Sequence, residues 1–287
     1  MSTTEITVTE TDEGTEMTEL CPPSLHTLSL YDPVNFLQNQ VCFLYKKLDF
    51  NYTIVTHFNV DIKILLFFQA ALMGYRPNNI PLTISLEGII GAGKSHCLSY
   101  LSTYEAIEIQ HEPVEAWQNW MDINLLDIFY RDPYTYGYLF QNYVQLTMLE
   151  RHLQPPQNNI RVMERSIFSA HHVFQRQLAE TLEIDGIENS MLTTWFNLFT
   201  KPPLQMHLDL IVYIKVDPVK ALERIKIRNR PEEQFITLDY LETLDYYHNE
   251  WLDQIDNKVI IINGNKSKDE MSTEYNKIIE AIMTMLN

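Results

Sequence analysis

Residues 88–95 read Gly-Ile-Ile-Gly-Ala-Gly-Lys-Ser and match the phosphate-loop pattern G-x-x-x-x-G-K-S at every fixed position. They follow the apolar run Leu82–Leu86 and open a helical pattern, which is the strand–loop–helix context that the pattern requires. Glycines let the backbone curl so that its N–H groups point at phosphate oxygens, and the helix start adds partial positive charge. The stretch therefore predicts a site for the phosphates of ATP, but it does not indicate what receives the phosphate.

Two side chains of this loop add chemistry to that of the backbone. Lys94 is placed to reach the β- and γ-phosphates, and the Ser95 hydroxyl is placed to bind Mg²⁺. ATP and Mg²⁺ are therefore the cofactors that we expect. The predicted ATP-binding residues of the loop are Gly88, Gly91, Ala92, Gly93, Lys94 and Ser95.

Outward from the loop, short apolar runs alternate with longer helical patterns. Such alternation is typical of an α/β domain in which helices cover both faces of a parallel sheet. We therefore predict a five-stranded parallel sheet flanked by helices, with ligands bound beyond the carboxyl ends of the strands. The runs are Leu82–Leu86, Ile107–Gln110, Ile160–Met163, Leu210–Ile214 and Val259–Ile262.

The region before the loop has a different character. Residues 1–20 are rich in Thr and Glu and contain no Lys or Arg, which predicts a disordered acidic tail. Residues 21–80 are interpreted as an N-terminal extension of unknown role, and residues 81–287 as the main domain.

The 287-residue chain carries a formal net charge of −17, which disfavours nucleic acid and anionic membranes as partners. Positive charge for a polyanionic nucleotide must therefore be concentrated locally. The three cysteines, Cys21, Cys42 and Cys97, form neither a disulfide framework nor a metal-binding pattern. Without an evident targeting signal or an apolar stretch of ~20 residues, we expect a cytoplasmic protein with no membrane partner.

Carboxylates and an arginine follow the second and third apolar runs. Glu112 precedes Pro113 and is expected beside the phosphate loop, where a carboxylate can accept the proton of an attacking hydroxyl. Glu164 and Arg165 end the third run, so that Arg165 would face the transferred phosphoryl group and Glu164 could reach the metal. A merely solvated or capping carboxylate, and a structural ion pair at a strand end, are the alternatives.

A helix is predicted from residue 136 to residue 152. Its residues Phe140, Gln141, Val144 and Met148 fall within one stripe about 100° wide. Gln141 is an amide in an otherwise apolar and aromatic stripe, and a nucleobase edge offers the donor and the acceptor that one Gln matches. A Gln whose hydrogen bonds go to the backbone is the alternative.

Positive side chains recur at every second position in one later segment: Arg224, Lys226, Arg228 and Arg230, followed by Pro231. In so acidic a chain they could close over ATP and stabilise charge in the transition state. On a helix, Arg224 and Arg228 would point together. A solvated basic helix end is the alternative.

Together these segments resemble the deoxyribonucleoside kinase family, from about Leu82 to Leu252. The resemblance is to its thymidine-accepting branch, which includes mitochondrial-type thymidine kinase and the insect-type multisubstrate kinase. It implies a P-loop kinase fold and a homodimer. The segments that carry it are Glu112-Pro113-Val114-Glu115-x-Trp117, Phe140-Gln141-x-Tyr143, Glu164-Arg165-Ser166-Ile167-Phe168-Ser169-Ala170 and Arg228-x-Arg230-x-Glu232-Glu233.

The resemblance implies site residues and roles. Glu112 resembles the catalytic base for the 5′-hydroxyl, Arg165 resembles the arginine between the reacting oxygens, and Lys94 completes the catalytic set. Ser95 and Glu164 would hold the metal, and Arg224, Arg228 and Arg230 would form a lid over ATP. Gln141 would pair with the base edge, Phe174 would stack on the base, and Tyr130 and Glu233 would bind the 3′-hydroxyl. The implied nucleoside-binding residues are Ile90, Trp117, Tyr130, Phe140, Gln141, Val144, Met148, Arg165, Ala170, Phe174 and Glu233.

Met148 and Ala170 match the thymidine-accepting branch, whereas deoxycytidine kinase carries Arg and Asp at these places. An uncharged pair leaves room for the methyl group of thymine. Because one methyl group is worth only ~1–3 kcal/mol, other pyrimidine deoxynucleosides would also be accepted. His171, His172 and Pro231 depart from the family pattern, which bears on substrate range and rate.

The predicted function is ATP-dependent 5′-phosphorylation of a deoxyribonucleoside, with thymidine and other pyrimidine deoxynucleosides as acceptors. One alternative is a nucleoside monophosphate kinase of the thymidylate type, whose acceptor would need an additional anion clamp. Another is a catalytically inactive nucleotide-binding protein, against which the intact Lys94, Ser95, Glu112 and Arg165 argue.

Overall fold

The computed structural model describes residues 81–202 and 204–286. The predicted acidic tail, residues 1–20, and the predicted extension, residues 21–80, lie outside the described residues. In the described part of the chain, no helix is both long enough and apolar enough to cross a bilayer.

Five strands form one sheet in the order β2-β3-β1-β4-β5, and all neighbouring pairs are parallel. The predicted five-stranded parallel sheet is thus confirmed. Several strands extend beyond the apolar runs, because polar end residues such as Glu87, Glu164 and Lys215 still pair through their backbones. The strands are β1 (Leu82–Glu87), β2 (Ile107–Gln110), β3 (Ile160–Glu164), β4 (Leu210–Lys215) and β5 (Lys258–Asn263).

Helices connect the strands and cover the sheet. The helices are α1 (Lys94–Leu101), α2 (Val114–Gln118), α3 (Leu125–Arg131), α4 (Pro133–Leu153), α5 (Ile167–Ser169), α6 (Arg176–Glu180), α7 (Gly186–Thr200), α8 (Pro218–Arg228), α9 (Leu238–Asp253) and α10 (Met271–Leu286). A π-helical segment, Ala170–Gln175, joins α5 to α6, and short 3₁₀ turns cover Pro231–Phe235 and Lys268–Glu270.

The predicted start of α4 was wrong by one turn. The Asp132 side chain accepts a hydrogen bond from the Thr135 N–H, and Pro133 occupies the first helical position, where its missing N–H costs nothing. The helix therefore begins at Pro133 and not at Tyr136, because capping and not the apolar stripe sets its start.

The hydrophobic core lies between the sheet and its helices. The central strands β1 and β4 are buried along nearly their whole length, as expected for parallel strands covered on both faces. Ile84 and Leu86 of β1 and Leu210 of β4 are fully inaccessible to solvent. This packing fixes the carboxyl ends of β1, β2 and β3, which are neighbours in the sheet and lead into the phosphate loop, Glu112 and Arg165.

Candidate active site

A cavity of about 580 Å³ opens at the carboxyl ends of β1, β2 and β3. It brings together most of the residues singled out in the sequence. The predicted residues that line it are Ile90, Gly91, Lys94, Ser95, Glu112, Trp117, Tyr130, Phe140, Gln141, Val144, Met148, Glu164, Arg165, Ala170, Phe174, Arg228, Arg230 and Glu233. Gly88, Ala92, Gly93 and Arg224 belong to the predicted ATP set but do not line this cavity.

The phosphate loop is held in shape by its glycines and by its own lysine. Gly91 adopts a φ of 81°, and a Cβ there would lie 2.5 Å from the Ala221 carbonyl oxygen. The Lys94 ammonium donates to the carbonyls of Gly88 and Ile89, both at 3.2 Å. Burial lowers the pKa of Lys94 to about 8, with Arg165 adding to the effect and nearby carboxylates opposing it.

Glu112 and Arg165 form an ion pair, with 2.9 Å between Glu112 Oε1 and Arg165 Nε. The Glu112 side chain is 18% exposed and that of Arg165 only 4%, so the pair is largely buried in the wall of the cavity. Arg165 Nη1 has no hydrogen-bond partner among the described residues. A carboxylate beside a preorganised cation is suited to taking a proton while the cation faces developing negative charge.

The backbone around Arg165 is unusual. Its φ is 59°, in the left-handed region that non-glycine residues seldom adopt. The Arg165 N–H donates to the Leu86 carbonyl at 3.1 Å, which continues the pairing of β3 with β1 past the last strand residue. The next residue, Ser166, donates to the buried Glu87 carboxylate at 2.8 Å and caps α5. Strain of this kind persists only where surrounding contacts fix the conformation.

Two side chains with oxygen atoms that can bind a metal ion, Ser95 and Glu164, lie at the phosphate loop. The Ser95 hydroxyl lies 3.5 Å from Glu164 Oε1, and the exposed His111 ring lies 3.6 Å from Glu164 Oε2. Burial raises the pKa of Glu164, but Lys94 and Arg165 outweigh it, so the net pKa is lowered and the group stays ionised. No cluster of three or more His, Cys, Asp or Glu forms a metal site within residues 81–202 and 204–286. One carboxylate and one hydroxyl fit Mg²⁺, which usually takes one or two protein oxygens beside phosphates and water.

The inner end of the cavity is aromatic. Phe140 packs edge-on against Trp117 at 5.7 Å between ring centroids, and the Trp117 N–H donates to the Thr147 hydroxyl. Phe174 lies under the Arg165 guanidinium, 4.6 Å from its central carbon to the ring centroid. Ala170 and Phe174 both reach the cavity from the π-helical segment, whose wide turn brings residues four apart onto one side.

Gln141 is buried in the aromatic end and lines the cavity. Its side-chain amide donates to the Ala170 carbonyl at 2.6 Å. The backbone alternative raised for this residue is therefore present in the structure. The same bond fixes the orientation of the amide, which still faces the cavity.

The outer end of the cavity is polar. Glu233 accepts hydrogen bonds from Arg228 Nη2 at 2.6 Å and from Arg230 Nη1 at 3.1 Å. Tyr130 and Tyr240 line the same region. Burial raises the pKa of Tyr130, and the nearby Glu233 carboxylate adds to this, so its hydroxyl remains a proton donor.

The basic segment does not act as one group. Arg224 donates to the carbonyls of Ala92 and Gly264, and so joins the phosphate loop to the chain after β5. Lys226 is exposed and does not line the cavity. That the four cations close over ATP together stays a prediction, and in the structure Lys226 faces solvent while Arg224 bonds two backbone carbonyls.

A sequence model of the deoxynucleoside kinase family matches residues 84–287, which is well over half of the chain. The chain belongs to the deoxynucleoside kinase family. This confirms the resemblance seen in the sequence.

Three relatives show the range of this family. Thymidine kinase 2, mitochondrial, of Homo sapiens is 38% identical over 169 residues, which are 59% of this chain and 63% of that protein. Deoxycytidine kinase 2 of Gallus gallus is 29% identical over 239 residues, 71% of this chain and 89% of the relative. Deoxyguanosine kinase, mitochondrial, of Xenopus laevis is 30% identical over 191 residues, 59% of this chain and 72% of the relative. The match to the human thymidine kinase thus covers less than two thirds of that protein's length.

Sequence reasoning missed several residues that line the cavity of this deoxynucleoside kinase family member. Phe129 carried a detectable signal, since it directly precedes Tyr130, and it stacks on Phe140 at 4.5 Å between centroids. Gln177 and Tyr240 lie on α6 and α9, and only the fold brings these helices to the cavity. The missed residues are His111, Pro113, Val114, Glu115, Gln118, Leu126, Phe129, Gln177, Leu178 and Tyr240.

Proposed function

We propose that this protein transfers the γ-phosphoryl group of ATP to the 5′-hydroxyl of a deoxyribonucleoside. The observation that carries the proposal is the Glu112–Arg165 ion pair inside the cavity that Lys94 of the phosphate loop also enters. The three groups supply a base, a cation for the transferred group and a cation for the phosphate chain.

In the proposed reaction, the Glu112 carboxylate takes the proton of the 5′-hydroxyl, and the oxygen attacks the γ-phosphorus in line. The bond between the γ-phosphorus and the β–γ bridging oxygen breaks, and ADP leaves with the electron pair. Lys94 and Arg165 stabilise the negative charge on the phosphoryl oxygens. Glu164 and Ser95 would hold Mg²⁺, which when bound offsets phosphate charge.

Arg228 and Arg230, held by Glu233, would cover the phosphates, and Arg224 would support the phosphate loop through the Ala92 carbonyl. The nucleoside would lie in the rest of the cavity. Its base would stack on Phe174 and meet Gln141, and its sugar 3′-hydroxyl would reach Tyr130 and Glu233.

Thymidine and other pyrimidine deoxynucleosides are the proposed acceptors. Met148 and Ala170 line the aromatic end with no charged group, which leaves space for a methyl substituent on the base. The two thymidine kinases at 38% and 39% identity support this choice, although relatives named for deoxycytidine and deoxyguanosine are also similar.

A panel of acceptors tests the proposal. Purified protein with ATP and Mg²⁺ is offered four deoxyribonucleosides and, in parallel, thymidine monophosphate, and ADP release and phosphorylated product are measured. Transfer to thymidine at the highest kcat/KM is expected. Faster transfer to thymidine monophosphate would support the monophosphate kinase alternative, and ATP binding without any transfer would support the inactive one.

The glycines of the phosphate loop provide a matched pair of variants. Gly91→Ala is expected to weaken ATP binding at least about tenfold, because its Cβ would meet the Ala221 carbonyl oxygen at 2.5 Å and displace the loop or α8. Gly93→Ala also places alanine at positive φ, but its nearest contact is Arg224 Nη1 at 3.8 Å. ATP titration by calorimetry compares the two, and equal losses would contradict the steric explanation.

We also propose a homodimer formed through α4 and α7, which pack on each other. Ile187, Met191 and Trp195 lie on one face of α7 and are 78%, 47% and 43% exposed. Leu139 and Leu146 are exposed on α4. Exposed apolar side chains gathered on two packed helices are typical of an interface, and a second copy of the same face is its simplest partner.

Light scattering on a sizing column tests the dimer. Trp195→Glu is expected to give a monomer, because the charge would have to be buried against the partner's apolar face. Ile227→Glu, at an even more exposed apolar position on α8, is the control and should leave the mass unchanged. A monomeric starting protein, or a dimer with Trp195→Glu, would contradict the assignment. The cytoplasmic location expected from the sequence stays a prediction.

A further inference from the structure

A buried arginine outside the reacting groups ties the active site together. Arg151, near the end of α4, is 5% exposed. Its Nη2 donates to the Gln110 carbonyl at 2.6 Å, and its Nη1 donates to the Glu164 carbonyl at 3.0 Å. These are the last residues of β2 and β3, so one guanidinium bridges the ends of two neighbouring strands.

Both bridged carbonyls lie within two residues of the proposed catalytic groups. Gln110 is two residues before Glu112, and Glu164 is the residue before Arg165. The peptide unit between Glu164 and Arg165 is held at both ends, its carbonyl by Arg151 and its N–H by the Leu86 carbonyl at 3.1 Å. The orientation of this peptide sets the φ of 59° at Arg165, a conformation that needs such support.

The bonding of Arg151 is unlike that of an ordinary buried ion pair. Its hydrogen bonds go to two backbone carbonyls and to the Met148 sulfur at 3.0 Å. Burial lowers the pKa of Arg151 to about 10, opposed by the charges of Glu112, Glu164 and Glu87, so the side chain remains a cation at neutral pH. A planar guanidinium can satisfy two carbonyls at fixed separation, which a lysine ammonium on a flexible stem does not reproduce.

We propose that Arg151 is a positioning residue that sets the distance and orientation of Glu112 relative to Arg165 by fixing the ends of β2 and β3. The expected effect on kcat rests on the proposed phosphoryl transfer. The expected effect on the geometry of the Glu112–Arg165 pair does not depend on it. Arg151 contacts neither phosphate nor sugar in this role. It acts on the chemical step through the Glu112–Arg165 pair, and its own hydrogen bonds go to Gln110, Glu164 and Met148, outside residues 88–95.

A second buried arginine provides a matched control. Arg161 is 2% exposed, bonds Glu108 Oε1 through Nε at 3.1 Å and donates to the Gln154 carbonyl at 2.8 Å. It lies near the amino end of β3, whereas the cavity opens at the carboxyl end, and it does not line the cavity. It reaches the end of β2 only through the side chain of Glu108, whose Oε1 also accepts from Gln110 Nε2 at 3.0 Å. Replacing it therefore removes a buried guanidinium and its carbonyl bond but leaves the two Arg151 bonds to the Gln110 and Glu164 carbonyls in place.

The kinetic test compares Arg151→Met, Arg151→Lys and Arg161→Met with the starting enzyme. For Arg151→Met we expect kcat to fall about 10- to 100-fold, since small misplacements of reacting groups have effects of this size. KM for ATP should change by less than about threefold, because the phosphate loop is untouched. Arg151→Lys should have a kcat between those of Arg151→Met and the starting enzyme. Arg161→Met should have the kcat of the starting enzyme when the rate is divided by the concentration of folded protein.

A structural readout separates this inference from the proposed function. In ligand-free protein, the chemical shift of the Arg165 Nε–H resonance should report the nearby Glu112 carboxylate, because Glu112 Oε1 lies 2.9 Å from Nε in the ion pair. Arg151→Met should broaden or shift it, whereas Arg161→Met should not. If folded Arg151→Met keeps both its kcat and its Arg165 resonance unchanged, the inference is overturned. Equal losses of kcat in Arg151→Met and Arg161→Met would also overturn it. If the starting protein transfers phosphate to no nucleoside, the proposed function fails while the resonance still decides the role of Arg151.

Discussion

Glu112→Gln is expected to lower kcat by about 10²–10⁴-fold while leaving the affinity for the nucleoside within about threefold. The amide keeps the shape of the carboxylate and can still meet Arg165, whose Nε lies 2.9 Å from Glu112 Oε1. It cannot accept the proton of the 5′-hydroxyl, so the loss should fall on the chemical step. Steady-state kinetics gives kcat, and calorimetric titration with thymidine gives the dissociation constant.

The control for this prediction is Glu105→Gln, an exposed carboxylate before the amino end of β2 and remote from the cavity. It should match the starting enzyme. A Glu112→Gln variant with full kcat would exclude Glu112 as the base. A variant that loses nucleoside affinity to the same degree as kcat would instead indicate a binding role.

Arg165→Met should lower kcat by about 10³-fold or more, comparable with the removal of other arginines that face a transferred phosphoryl group. The substitution also leaves Glu112 without its ion-pair partner and removes the cation from the face of Phe174, 4.6 Å away. We therefore expect a smaller parallel loss of nucleoside affinity. Rates and melting temperature are measured together, so that misfolding is not mistaken for lost chemistry.

Two further variants sharpen this second prediction. Arg165→Lys should recover only part of the rate, since an ammonium cannot bond Glu112 and a phosphoryl oxygen through one rigid plane. Because Glu112 and Arg165 act as a unit, Glu112→Gln combined with Arg165→Met should be little worse than Arg165→Met alone. Losses that multiply in the double variant would show that the two groups act independently.

The fold was predictable because parallel strands buried on both faces form continuous apolar runs in the sequence. The phosphate loop identifies the run just before it, Leu82–Leu86, as the first strand of the sheet in chain order. The central site residues were predictable for the same reason, since Glu112 and Arg165 each follow such a run closely. Contacts that depend on the packing of distant segments gave no local pattern. The two carbonyl partners of Arg151 are 41 and 13 residues away, and because they are backbone groups no residue type signals them.

The contacts of the basic segment, residues 224–230, also could not be predicted from the sequence. The spacing of Arg224, Arg228 and Arg230 marked a concentration of positive charge, but it could not show how that charge is divided. Asn229, in a left-handed conformation with a φ of 54°, ends α8 and turns the chain so that Glu233 comes back to Arg228 and Arg230. Arg224 lies one turn earlier and bonds the Ala92 and Gly264 carbonyls instead.

The contact between Met148 and Arg151 limits how the acceptor preference of such a protein can be changed, by design or in evolution. Met148 borders the part of the cavity proposed for the base, and its sulfur accepts from the arginine that bridges β2 and β3, at 3.0 Å. Exchanging Met148 to admit a different base would thus also disturb the support beneath the reacting groups. On the proposed function, acceptor preference and turnover number should be linked at this position, so variants selected for a new substrate should regain speed only after compensating changes around residue 151.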